Sequence, residues 1–189
     1  MDLRPAEHGA EGYIPGSVHL NYDRLIRRHG HAEGLLPRVE DIRALFSELG
    51  VQPWHFVVAY DDETGVEAAR FLWTLEVAGH HNYALLDGGF ADWEGKNLPT
   101  INFSRHPAPI DYPEFFPGPA AVTKQYVLNA IGREDVCIID TRTIDEYRGK
   151  DVRAHRGGPL PGAIHFDWTN AADLYGSGLL RDPPHLKQT

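Results

Sequence analysis

The sequence predicts an α/β fold: a central parallel sheet with helices on both faces, in two repeats joined by a Pro-rich linker, the second repeat incomplete. Three observations carry this reading. Strand-like and helix-like segments alternate along the chain. A set of motifs occurs twice in the same order. A run of prolines separates the two occurrences. Asp2-Leu3-Arg4 returns as Asp140-Thr141-Arg142, and Tyr13-Ile14-Pro15-Gly16-Ser17-Val18-His19-Leu20 returns as Pro159-Leu160-Pro161-Gly162-Ala163-Ile164-His165-Phe166. Gly34-Leu35-Leu36 returns as Gly178-Leu179-Leu180. The second copy carries eight more residues between Arg142 and Pro159. So long a period means two copies of a domain rather than a solenoid.

In the first copy, Val39, Ile42, Leu45, Phe46 and Leu49 recur at helical spacing, and Gly50 follows as the expected stop. Phe56-Val57-Val58-Ala59-Tyr60 is a short apolar, β-branched and aromatic run, which predicts a buried strand. Thr64 and Glu67 have the spacing of a capping box, opening a helix that runs to about Ala78 and stops at Gly79. Tyr83-Ala84-Leu85-Leu86 reads as a further strand, and Gly88-Gly89 turns the chain into a short helix holding Trp93. Residues 101–121 hold Pro107, Pro109, Pro113, Pro117 and Pro119, a density that blocks helix and central strand alike. They are expected to form an extended surface linker between a domain at 1–100 and the amino-terminal part of a second domain at 122–189. There a helix is expected from about Thr123 to Ile131, stopped by Gly132. The strand Val136-Cys137-Ile138-Ile139 should then lead into Asp140. Copy one begins at its Asp-x-Arg, and copy two stops where its next helix should begin, so both ends read as clipped relative to the repeat.

The formal net charge of −9 disfavours nucleic acid and anionic membranes as partners. Arg142, Arg148, Lys150, Arg153 and Arg156 form the main basic stretch, the better place to seek an anion. No apolar run approaches the roughly 18 residues of a membrane span, and the start has no apolar signal region. A cytoplasmic location is expected. The single cysteine, Cys137, excludes an internal disulfide and a Cys-rich zinc site. Its place in an apolar run predicts a buried, inert thiol. His80-His81 and His29-Gly30-His31 lack the spacing of one helical face and have no evident carboxylate partner, so no metal is expected.

The strand ending in Asp-x-Arg, the Ile-Pro-Gly-Ser-Val-His run, Val57-Val58-Ala59-Tyr60-Asp61-Asp62 and Leu86-Asp87-Gly88-Gly89-Phe90-Ala91-Asp92-Trp93 together resemble rhodanese domains. Asp145-Glu146-Tyr147-Arg148-Gly149 with Gly157-Gly158-Pro159-Leu160-Pro161-Gly162-Ala163-Ile164 resembles the second domain of bacterial two-domain thiosulfate sulfurtransferases. Each motif alone is weak; their order and spacing are specific. The resemblance implies a cysteine on a loop of inward-pointing N–H groups at a helix N-terminus, which lowers the thiol pKa and stabilises anions. That thiolate takes sulfane sulfur from thiosulfate or a similar donor as a persulfide, then passes it to cyanide or a thiol. No cofactor is implied.

In copy one the corresponding loop is Asp61-Asp62-Glu63-Thr64-Gly65-Val66, with Asp61 where the cysteine is expected. A carboxylate cannot carry a persulfide, and the acids are expected to sit at the positive end of the following helix. Two-domain members of the family typically carry an inactive first copy. In copy two the resemblance places the catalytic cysteine beyond Thr189, so this chain alone is expected to be inactive. Asp140, Arg142, Arg148, Arg153 and Arg156 are the candidate substrate-binding residues, set against a plain reading as surface charge or structural ion pairs. Glu146 stands where animal relatives carry a substrate-binding arginine. The competing reading is a non-catalytic binding or regulatory scaffold. A phosphatase of the same fold would also need the loop cysteine.

Overall fold

The computed structural model describes residues 1–30, 32–62, 64–174, 177–182 and 184. It divides into two units, Met1–Ala121 and Val122–Thr189. The fold is the predicted α/β one.

In unit 1, a 3₁₀ turn at Ala6–Glu11, another at Tyr22–Leu25 and the antiparallel pair β1 (Arg27–His29) and β2 (Ala32–Leu35) precede helix α1 (Val39–Glu48). The helical spacing places Ile42, Leu45 and Phe46 on one buried face. Gly50, at φ 64°, ends the helix as expected. Strand β3 (Val57–Ala59) pairs in parallel with β4 (Tyr83–Leu85), connected by α2 (Val66–Val77). Asp2 bridges in parallel to both Tyr60 and His19, so the opening segment lies between β3 and residues 17–20. Helix α3 (Gly89–Gly95) follows. The core gathers around Phe46, whose ring meets Phe71 edge-on at 6.1 Å and Tyr112 at 5.1 Å.

Two expectations change here. The run Phe56–Tyr60 is not buried throughout: Val57 and Ala59 are buried, whereas Phe56 is 62% and Val58 40% exposed. The strand alternates because its second face opens onto a groove instead of a packed helix. Residues 101–121 hold no helix or extended strand, but they are more than a spacer. Ile101 bridges to Tyr13, the Ile110 amide donates to the Ser47 carbonyl, and Trp73 Nε1 donates to the Ala120 carbonyl. Tyr112 is buried in the core. Apolar side chains between the prolines thus tie this segment to unit 1.

In unit 2, α4 (Lys124–Ala130) is capped by the Thr123 hydroxyl, which accepts from the Tyr126 amide. Strand β5 (Ile139–Asp140) pairs in parallel with β6 (Ile164–His165), and α5 (Ile144–Tyr147) lies between them in sequence. Thr143 and Glu146 form a reciprocal capping box on α5. The Tyr147 and His165 rings stack at 4.4 Å. The expected burial of Cys137 is corrected: the thiol is exposed. It lies ahead of a two-residue strand with one strand partner, so the apolar run around it has little to pack against. No described helix is long and apolar enough to cross a membrane.

Candidate functional site

The loop between β3 and α2 is organised by Asp61. Its carboxylate is buried and accepts from the amides of Gly65 at 2.8 Å, Glu67 at 3.0 Å and Ala68 at 3.3 Å. These are among the otherwise unpaired N–H groups at the start of α2, and a carboxylate there gains from both hydrogen bonding and the helix dipole. The expected Thr64 cap is not made: Gly65, in the left-handed region at φ 75°, is the cap residue, with no side-chain cap hydrogen bond. The shorter reach of the buried Asp61 carboxylate already satisfies the donors that Thr64 would have taken. Glu63 lies outside the described residues. Val66 opens α2 and is exposed.

The loop is locked from the far side by α3. The amides of Phe90 and Ala91 donate to the carbonyls of Asp61 and Asp62, each at 2.9 Å. Gly89 permits this approach: a Cβ there would lie 2.6 Å from the Asp61 carbonyl oxygen, on a backbone already at φ 58°.

A cleft of about 530 Å³ opens over the loop. Asp61, Asp62, Glu67, Glu11 and Glu94 line it, with Arg4 and His8. Burial pushes the Glu67 carboxyl up, reinforced by the charges of Asp61 and Asp62. His8 Nδ1 lies 2.9 Å from Asp62 Oδ2. His8, Glu11 and Asp62 bring ligand-type atoms within 4.8 Å of one another, the grouping among the described residues able to hold a metal. Spacing along the chain carries no signal for it, since Asp62 is distant in sequence from His8 and Glu11. Of the histidines weighed for metal, His80 is buried with Nε2 3.0 Å from the His55 carbonyl, and His81 pairs with Glu76. His31 lies outside the described residues.

Arg4 is largely committed to the protein, although its buried Nη1 has no hydrogen-bond partner and lies 3.7 Å from Glu11. It is buried against Asp2, with Nε and Nη2 within 3.3 Å of the carboxylate, and Nη2 also donates to the Gly12 carbonyl at 2.6 Å. Its guanidinium lies 3.6 Å from the centre of the Phe90 ring. Tyr60 completes the cluster by donating its hydroxyl to Asp2 at 2.8 Å.

Unit 2 repeats this arrangement. Arg142 donates to Asp140 at 2.9 and 2.6 Å and to the Gly158 carbonyl at 3.0 Å. His165 Nε2 lies 2.9 Å from the Arg142 carbonyl, as His19 Nε2 does from that of Arg4. Asp140 and Arg142 therefore brace the strand end against the loop that follows. Arg153 pairs with Asp151 at 3.0 Å and lies 3.4 Å from Glu146. Arg148 and Arg156 are exposed. Asp140 and Arg142 are thus brought together, and Arg153 is held at Asp151 and Glu146. The Glu146 carboxylate is committed to capping α5. Sequence reasoning missed His19, His165 and Tyr60 as bracing groups, although both histidines stood inside the repeated motif.

The rhodanese-like domain family model matches residues 1–96. The thiosulfate sulfurtransferase of Azotobacter vinelandii is 40% identical over 177 residues, which cover 92% of this chain and 64% of that protein. Its namesake from Pseudomonas aeruginosa is 39% identical, with 92% and 64% covered. The crystal structure of the 3-mercaptopyruvate sulfotransferase SseA from Escherichia coli superposes with a TM-score of 0.82 at 26% identity, covering 99% of this chain and 74% of that one. The chain thus spans about 64% of the length of the two curated relatives named first.

Proposed function

This chain belongs to the rhodanese-like family, and we propose that it provides the non-catalytic part of a sulfurtransferase. That enzyme moves sulfane sulfur from thiosulfate or a similar anionic donor to cyanide or a thiol through a cysteine persulfide. Residues 1–100 are an inactive-type domain, 101–121 the connection, and 122–189 the opening part of a second domain. The cytoplasmic location expected from the sequence, and the absence of nucleic-acid and membrane partners, belong to the same proposal.

The observation that carries it is the Asp61 carboxylate. It occupies the amides that, in the family's mechanism, would hold an anionic sulfur species. A thiosulfate anion entering the cleft would meet Asp62, Glu67, Glu11 and Glu94, with Arg4 already neutralised by Asp2. Sulfur transfer needs a loop thiolate, and Cys137 precedes β5 instead of following a strand into a helix N-terminus. In unit 2, the exposed Arg148 and Arg156 are the candidates for steering a donor.

A thiocyanate assay tests this. Residues 1–189 should form no thiocyanate from thiosulfate and cyanide above a buffer control, and Asp61→Cys should stay far below an active family member, because the remaining acids still face the donor. Turnover by the unmodified chain that disappears in Cys137→Ser would overturn the proposal; efficient turnover by D61C would remove the argument from the acidic cleft.

A further inference from the structure

His8, Glu11 and Asp62 form a mixed imidazole and carboxylate group in the acidic cleft, built from two separate stretches of chain. The histidines weighed for metal on sequence spacing, His29, His31, His80 and His81, do not belong to it.

His8 and Glu11 lie three residues apart on the 3₁₀ turn Ala6–Glu11. Such a helix has about three residues per turn, so the two side chains leave the same face. The end of the turn is pinned, because the Gly12 carbonyl accepts from Arg4 Nη2 at 2.6 Å. Asp62 comes from the loop between β3 and α2, where its carbonyl accepts from the Ala91 amide at 2.9 Å. The backbone is thus held on both sides of the group.

His8 Nδ1 lies 2.9 Å from Asp62 Oδ2, and the three ligand atoms all fall within 4.8 Å of one another. Around a zinc-type ion, with bonds of about 2.0–2.2 Å, two ligand atoms stand roughly 3–4 Å apart. Closing the group onto such an ion takes a movement of at most about 1 Å. A change of rotamer in the half-exposed Glu11 side chain supplies it.

Charge favours a cation here. Asp62, Glu11, Glu67 and Glu94 line the cleft, and of its two basic residues Arg4 is matched by Asp2 and His8 belongs to the group itself. Arg4 supplies an independent sign. Its side chain is 1% exposed, it lines the same cleft, and its Nη1 has no hydrogen-bond partner. A buried N–H without an acceptor is costly. Glu11 Oε2 lies 3.7 Å from it, beyond hydrogen-bond reach. Carboxylates that ligate a metal are themselves hydrogen-bonded by outer groups, and Nη1 is a donor placed for that role.

We propose that His8, Glu11 and Asp62 bind a divalent zinc-class ion, with Glu11 bound through one oxygen and its other oxygen accepting from Arg4 Nη1. Imidazole with two carboxylates suits zinc and its first-row neighbours; magnesium and calcium take oxygen ligands instead. Three protein ligands leave a position open toward the cleft. The ion ties the opening turn to the loop that carries Asp61 and offsets the negative charge of the cleft. The proposal does not rest on the sulfurtransferase reading.

The test uses the whole chain, stripped of metal with EDTA, dialysed and titrated with zinc chloride. Calorimetry should show a site with Kd below about 10 µM, and backbone amide NMR should place shifts at His8, Glu11 and Asp62. Glu11→Gln and Asp62→Asn keep the side-chain size and should each weaken this site at least about tenfold, with the metal-free exchange protection of α2 as in the parent chain. The shift map of the parent chain needs no variant, so it decides the matter if either variant folds poorly. Three results would overturn the proposal: no shift at the three residues at about 100 µM zinc, zinc shifts confined to other histidines such as His80 and His81, or unchanged affinity in both variants.

Discussion

Units 1 and 2 carry the same bracing motif in different surroundings. In unit 1, Asp2 and Arg4 are buried beneath Tyr60 and Phe90, and the core extends through Phe46, Phe71, Leu75 and Tyr112. In unit 2, the Asp140 and Arg142 bonds are as short, yet Ile139 and Ile164 on the adjoining strands are 58% and 60% exposed. Among the described residues of unit 2, the buried apolar ones are Ala130 and Ala172. The polar connections of a rhodanese-like strand end thus form from local sequence, independently of a core. Stability comes from what packs on either side, at roughly 1.5–3 kcal/mol for each large apolar side chain removed from water.

The largest consequence is unequal protection. Amide exchange should be slow through α1, α2 and β3, limited there by global opening, and fast through residues 122–189, where few buried contacts oppose local opening. Equal, strong protection in both units would mean that unit 2 buries its exposed isoleucines in solution, for instance against another copy, and sedimentation at two concentrations would show it.

A smaller effect sharpens the comparison at one motif. Arg4→Met strands the Asp2 carboxylate in the core, and removing one partner of a buried pair costs about 3–5 kcal/mol. Arg142→Met acts on a pair whose arginine is 40% exposed, where solvent screening reduces the loss to about 0.2–1 kcal/mol. Urea unfolding followed by the exchange protection of the α2 amides would read the first, and exchange of the Ile164 and Phe166 amides the second. Similar losses at both sites would show that local geometry, not burial, sets the value of the bond.

Much of this was legible because it is local or repeated. The alternation of helix and strand patterns located α1, α2, β3 and β4, and the recurrence of Asp-x-Arg and Pro-Gly-x-x-His identified the two copies. Asp61 was legible as an acid at a helix start. Its defeat of Thr64 was not, because the capping-box spacing is scored on sequence while the outcome depends on which oxygen the strand end delivers to the amides. Cys137 was misjudged for a related reason: an apolar run predicts burial only when other layers cover it, and that cover is non-local. Tyr112 was hidden because prolines flanking an aromatic look like linker, whereas its burial depends on Phe46 and Ser47, far away in sequence.

The smallest effect separates the units by pH. In unit 2 the hydrogen bonds from Arg142 hold the Asp140 carboxyl below the usual range, against an opposing effect of burial. As pH falls, the unfolded chain therefore takes up a proton at Asp140 before the folded unit does. The stabilisation is complete above about pH 4, the ordinary carboxylate value, and is lost as pH falls through the lower folded value. In unit 1, Tyr60 has the opposite sign: burial raises its pKa, so its contribution is complete below about pH 10 and is lost as pH rises through the higher folded value. Asp140→Asn should lower protection of the Ile164 and Phe166 amides near neutrality, with the gap to the parent chain narrowing as pH falls below the ordinary carboxylate value of about 4. Tyr60→Phe should leave that acid dependence unchanged. A gap that stays constant across the acid range would mean that folding does not favour the ionised Asp140 carboxylate, and that the loss in the variant comes from something other than its charge pair with Arg142.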